Sequence, residues 1–225
     1  MKVILRAVLV IGVMTSTMPG FAQQAGVAGT VHNLSVSGPG EVRSQTEREI
    51  CKFCHIPHNP VVPQPLWGHR LSKVSQYRTS EMEAGHGGRV MSPQPDGASR
   101  LCLSCHDGTV ALGNVASERA PITMVGTQVL SRGRPGFIGT DLSGSHPVSF
   151  VMPDNLADDG GRDMALRSRV VIDADPDVHL DAQGKMQCTT CHDPHSDVYF
   201  RPDGVPHFWV KSSVDEVCLT CHELR

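Results

Sequence analysis

The sequence predicts a mostly irregular, loop-rich chain, with short α-helices at four cysteine motifs and few short strands. Three observations carry that expectation. All eight cysteines fall in four copies of Cys-x-x-Cys-His, which end at His55, His106, His192 and His222. Aromatic residues make up only 4% of the chain, while 22 Gly and 16 Pro interrupt regular elements. Residues 115–184, between the second and third motifs, are rich in Gly, Pro and Asp and show few periodic apolar positions.

The motifs come first because they set the chemistry. On a helix, positions i, i+3 and i+4 share one face. One short helix can therefore present two thiols and an imidazole to the same group. The cysteine pairs are Cys51 and Cys54, Cys102 and Cys105, Cys188 and Cys191, and Cys218 and Cys221. Two thiols followed at once by a histidine form the attachment site of c-type haem: the sulfurs bond the vinyl groups and the histidine ligates iron from one face. Four filled sites would make a tetrahaem protein that moves electrons. Zinc needs four ligands assembled from two pairs and has no use for a histidine after every second cysteine. A disulfide inside each Cys-x-x-Cys closes a tight, reducible ring and is a poor staple.

Along the chain, residues 1–22 read as a secretory signal. Lys2 and Arg6 form a positive end, residues 7–14 an apolar stretch too short for a stable bilayer span, and Gly20, Phe21 and Ala22 a small-residue cleavage region. Export agrees with haem attachment, which takes place outside the bacterial cytoplasm. The expected location is periplasmic or extracellular, at the cell surface, with no membrane span after signal cleavage. Residues 23–225 are expected to form one tetrahaem domain, because haem ligands should cross between its parts. Its parts are a two-haem unit over about 41–114, a wrapping segment over about 115–184 and a second two-haem unit over about 185–225. The duplication is visible in the residues: 51–58 and 188–195 both read C-x-x-C-H-x-P-H, and each is followed by a Val/Leu-Cys-Leu-Ser/Thr-Cys-His motif. Thr46 with Glu49 and Ser213 with Glu216 are spaced as capping boxes, Ser99 is a candidate cap for the second motif helix, and the third motif lacks a clear cap. Residues 148–152 and 169–172 read as short strands. The formal charge of −3 excludes haem propionates and makes nucleic acid an unsuitable partner. Large apolar cofactors would replace an ordinary core, so the chain without them should be largely unfolded.

Each iron also needs a ligand opposite its motif histidine. Eight histidines remain: His32, His58, His69, His86, His146, His179, His195 and His207. Four suffice for bis-histidine iron throughout. Met82, Met91 and Met124 are the alternative type, which would raise the potential. His58 and His195 each follow a motif histidine by three residues, beyond a proline, and can reach a neighbouring haem rather than the far face of their own. His146 precedes Pro147, which favours extended backbone at that position. His32, early in the exported chain, ranks on the residues alone with His69 and His86.

The segments 41–58, 65–67, 97–109, 145–150 and 187–195 resemble the paired Cys-x-x-Cys-His multihaem cytochromes. Within that group the chain is most similar to tetrahaem cytochromes that polymerise into extracellular filaments. The resemblance implies a loop-rich protein around a continuous stack of four covalent bis-histidine haems. It favours His32, His58, His146 and His195 as distal ligands, with one such ligand bridging subunits, for which His32 is the candidate. It also implies other copies of the chain, redox proteins and extracellular acceptors as partners. Residues 81–90, with His86, depart from the pattern, as do His207 and the short end after His222. The rival readings are a soluble periplasmic tetrahaem shuttle, a haem subunit of a membrane oxidoreductase, and a multihaem reductase. A reductase needs an open iron position. The histidine surplus argues against one, so the chain is expected to carry electrons and not to act as an enzyme.

Overall fold

The computed structural model describes residues 26–84, 88–152 and 164–224. The expected signal at 1–22, His86, and part of the Gly- and Asp-rich stretch lie outside them. The chain is loop-rich, with short elements that cluster at the four motifs. The strands are β1 (Arg43–Ser44), β2 (Glu81–Ala84), β3 (Gly88–Met91), β4 (Met124–Val125), β5 (Met164–Leu166) and β6 (His222–Leu224). They form three separate antiparallel pairs, β1 with β4, β2 with β3 and β5 with β6. The helices are α1 (Gly97–His106), α2 (Arg169–Asp173), α3 (Cys188–Cys191) and α4 (Val214–Cys221). Among the described residues no helix is long and apolar enough to cross a membrane.

Three motifs lie on α-helices: the second ends α1, the third forms α3 and the fourth ends α4. The first is shorter than expected, a single 3-10 turn over Cys51–Phe53. Thr46 and Glu49 do not cap it. Instead Ser44 Oγ accepts from the N–H groups of Thr46 and Glu47, and the Glu47 carboxylate accepts from those of Arg48 and Glu49. A polar turn has taken up the backbone donors before a helix can start. In α4 Ser213 caps as expected, accepting from Glu216 N–H at 3.2 Å. At the end of α1, Gly108 turns into the left-handed region at φ 74°, where a Cβ would lie 2.6 Å from Leu130 O and from the Phe137 ring.

The two expected strands differ. Residues 169–172 are helical: the carbonyl of Ser168 accepts from Val171 and Ile172 N–H, and Arg169 pairs with Asp173 at 2.7 Å. Ile172 is fully buried while Val170 is 79% exposed, so the apolar run serves one helical face and not a pleat. Residues 148–152 do run beside 184–186, through bonds such as Met186 N–H to Phe150 O, but Ser149 at φ 65° breaks the extended backbone and leaves an isolated bridge.

Burial is divided among small clusters, each behind a motif. Phe53, Leu112 and Met124 pack beside Cys54 and Cys105, and Met152, Ile172 and Met186 pack with Cys221. With so few aromatics, the side chains build walls for the sites instead of one continuous core.

Candidate functional site

Three of the four motif histidines share a repeated arrangement. His55 Nδ1 lies 2.7 Å from Pro65 O, His106 Nδ1 2.6 Å from Gly136 O, and His192 Nδ1 3.2 Å from His207 O. An Nδ1–H that donates to a carbonyl leaves the Nε2 lone pair for a metal and fixes the ring plane. The two tryptophans of the chain repeat this duplication. Trp67 meets the His55 ring edge-on at 6.0 Å and Trp209 meets that of His192 at 4.9 Å, each across a backbone bridge to its histidine. His222 departs from the set: its Nδ1 is buried and finds no hydrogen-bond partner among the described residues.

Three of the expected distal histidines face a motif histidine. Ring centroids of His55 and His195 are 6.1 Å apart, those of His106 and His32 6.0 Å, and those of His222 and His146 6.3 Å. Two metal–imidazole bonds of about 2 Å each, with a ring radius added on either side, put the centroids of trans imidazoles roughly 6 Å apart. The three facing pairs have that spacing, so their residues could hold an iron between them. Burial, reinforced by the neighbouring His106, holds His32 down at about 4. Burial also lowers His192 and His222. Neutral imidazoles of this kind keep a lone pair for iron. His58 is exposed, and no ring contact joins it to His192.

His32 packs against residues of its own chain. Its ring stacks on Phe208 at 4.1 Å and lies against His106 of the same chain. Side-chain bonds hold the segment: buried Asn33 donates to Ala28 O and accepts from Ser35, and Val36 N–H reaches Glu47 O. These bonds order the segment within its own subunit.

The thiols converge as well. Those of Cys102 and Cys188 share a hydrogen bond, Cys54 lies close enough to raise Cys105, and Cys218 and Cys221 raise Cys191. Burial pushes Cys54 up to about 11 and Cys191 up to about 12, so both remain neutral thiols. The link between the second and third motifs is Gln187. Its side-chain carbonyl accepts from Ser99 N–H and Ser99 Oγ at 3.1 and 2.6 Å, and its amide donates to Asp96 and Asp181. Ser99 is thus a tie between motifs and not a cap. At the third motif, where no cap was evident, Thr190 Oγ1 accepts from Gln187 N–H at 3.0 Å. Glutamine beside a cysteine carries no chemical signature, so only the fold reveals this junction.

Other candidates have different surroundings. His69 is fully buried with Nδ1 and Nε2 each 3.0 Å from a carbonyl, of Arg70 and Ala111, so both nitrogens are engaged. His207 pairs with Asp197 at 2.6 Å and stacks on Phe200. His179 is exposed. Met124 belongs to a core cluster and Met91 is 55% exposed.

No curated protein matches the chain. Residues 179–224, which carry the third and fourth motifs, match the family described as the doubled CXXCH motif. That doubled motif indicates covalent c-type haem and electron transfer, and it supports reading the chain as a multihaem c-type cytochrome.

Proposed function

We propose that the protein transfers electrons through four covalent c-type haems in a single domain, and that all four irons are bis-histidine. The facing histidine pairs carry this reading. His55 with His195, His106 with His32, and His222 with His146 would hold three of the irons. His192 takes His58 by exchange: segment 192–195 lends its far histidine to the His55 site, and the matching segment 55–58 returns the favour. When bound, the haems supply reversible one-electron chemistry. The protein orients three of the four motif imidazoles through an Nδ1 carbonyl contact, packs tryptophan against two of them, and ties the second and third motifs through Gln187. Two histidines on each iron would leave no position for a substrate, which favours a carrier over a reductase. Mass spectrometry of the secreted protein should show four covalent haems, and electron paramagnetic resonance should show low-spin ferric iron only. Three haems, or a high-spin signal, would overturn it.

Export follows from the attachment chemistry, with the protein periplasmic or extracellular. Assembly into a filament or chain of contacting copies is supported by the sequence resemblance. A soluble periplasmic shuttle is the second reading, favoured by His32 lying inside its own subunit. Redox proteins and, for a filament, extracellular acceptors are the partners. Negative-stain microscopy of secreted material separates the two: filaments support the first and isolated particles the second.

A further inference from the structure

The orphaned nitrogen of His222 has a consequence for the order in which the sites fill with electrons. We propose that the haem at the fourth motif has the highest reduction potential of the four, because among the described residues His222 has no Nδ1 acceptor of the kind that the other three motif histidines have. The inference rests on the bis-histidine reading above.

A carbonyl that accepts from Nδ1–H pushes electron density through the ring to Nε2 and makes the imidazole a stronger donor. A stronger donor stabilises ferric iron over ferrous and lowers the potential. Pro65, Gly136 and His207 supply that carbonyl to His55, His106 and His192. The His222 nitrogen is buried but has no acceptor among the described residues. Cys221, next to His222, packs with Met152, Ile172 and Met186, a wall of the kind that Cys54 and Cys105 also have, so the missing acceptor and not the wall distinguishes this site. Two features oppose the trend. Asp175 lies near Cys221, but Lys211 neutralises it at 2.5 Å. His146 Nδ1 lies 2.8 Å from Pro147 O, a contact on the exposed ligand only. The His55 site, by comparison, has an Nδ1 partner on both ligands, with Asp193 3.3 Å from His195. In the haem-loaded protein an electron given up by a reduced neighbouring haem would be held preferentially at the His222 site.

His146→Met in the haem-loaded protein labels this site. Methionine ligation adds a near-infrared charge-transfer band and moves one step of a potentiometric titration upward. The expected result is that the step displaced is the highest of the four in the parent protein. If the band forms and a lower step moves, the proposal fails while the ligand pairing stands. If no band forms and no step moves, His146 is not a ligand and the pairing at His222 fails. The double variant Cys218→Ser, Cys221→Ser then decides the potential independently. Its three-haem product should lack the highest step, and loss of any lower step overturns the proposal.

Discussion

The imidazoles of His55 and His195 lie 6.1 Å apart and 18° from parallel, although 140 positions separate them in the sequence. His195 follows the third motif, yet it faces the histidine of the first. The segment after the third motif therefore carries its far histidine to the first motif instead of closing on itself. A three-residue tether spans at most about 11 Å, too little to round a haem but enough to reach its neighbour.

His195→Ala should open the iron at His55 and leave that at His192 low-spin. All four haems should remain attached, because no cysteine is altered. Resonance of the variant, combined with deletion of the first motif, checks the pairing. A high-spin signal that survives removal of Cys51 and Cys54 would show that His195 serves another site.

His32→Ala should create one high-spin iron in isolated subunits, without any requirement for assembly. This follows from its contact with His106 in the same chain. If the signal changes only when copies associate, the internal pair is wrong and the subunit-bridging reading returns.

Gln187→Ala should destabilise the protein by about 2–4 kcal/mol, since buried Ser99 would lose the acceptor for both its N–H and its hydroxyl. Gln187→Glu should be no better, because a carboxylate would face Asp96 and Asp181. Thermal unfolding of the haem-loaded variants measures both, and an unchanged melting temperature would remove Gln187 as the junction.

Asp175 gives a pH dependence. Burial alone would raise its carboxyl, but bonds from Lys211, the N–H groups of Asp177 and Val178, and Thr220 take it well below the ordinary value of 3.8. A depressed acid contributes stability above its unfolded value and loses it as pH falls below that value. Acidification below about pH 4 should therefore loosen α2 from α4. Asp175→Asn should cost about 2 kcal/mol at neutral pH and flatten that acid limb in denaturation curves.

His69→Phe should leave every iron low-spin while lowering stability by about 1–3 kcal/mol, since the buried ring N–H bond to a backbone carbonyl is lost. A new high-spin signal in that variant would restore His69 as a ligand.

The haem-attachment residues were legible because covalent chemistry is local. Two thiols and a histidine must sit within five residues, and no fold can change that spacing. The poverty in aromatics and the wealth of Gly and Pro likewise showed that the chain would be mostly loop. The local propensities of 169–172 and 148–152 were misleading, since a strand needs a partner ladder and the sequence names none. Neither could the residues say which histidine faces which. A ligand pair is a meeting of distant segments, decided where β1 joins β4, where β5 joins β6 and where Gln187 binds Ser99. The carbonyls of Pro65, Gly136 and His207, and the absence of one at His222, belong to the same class. Every peptide has a carbonyl, so only the tertiary structure decides which of them aim at an imidazole.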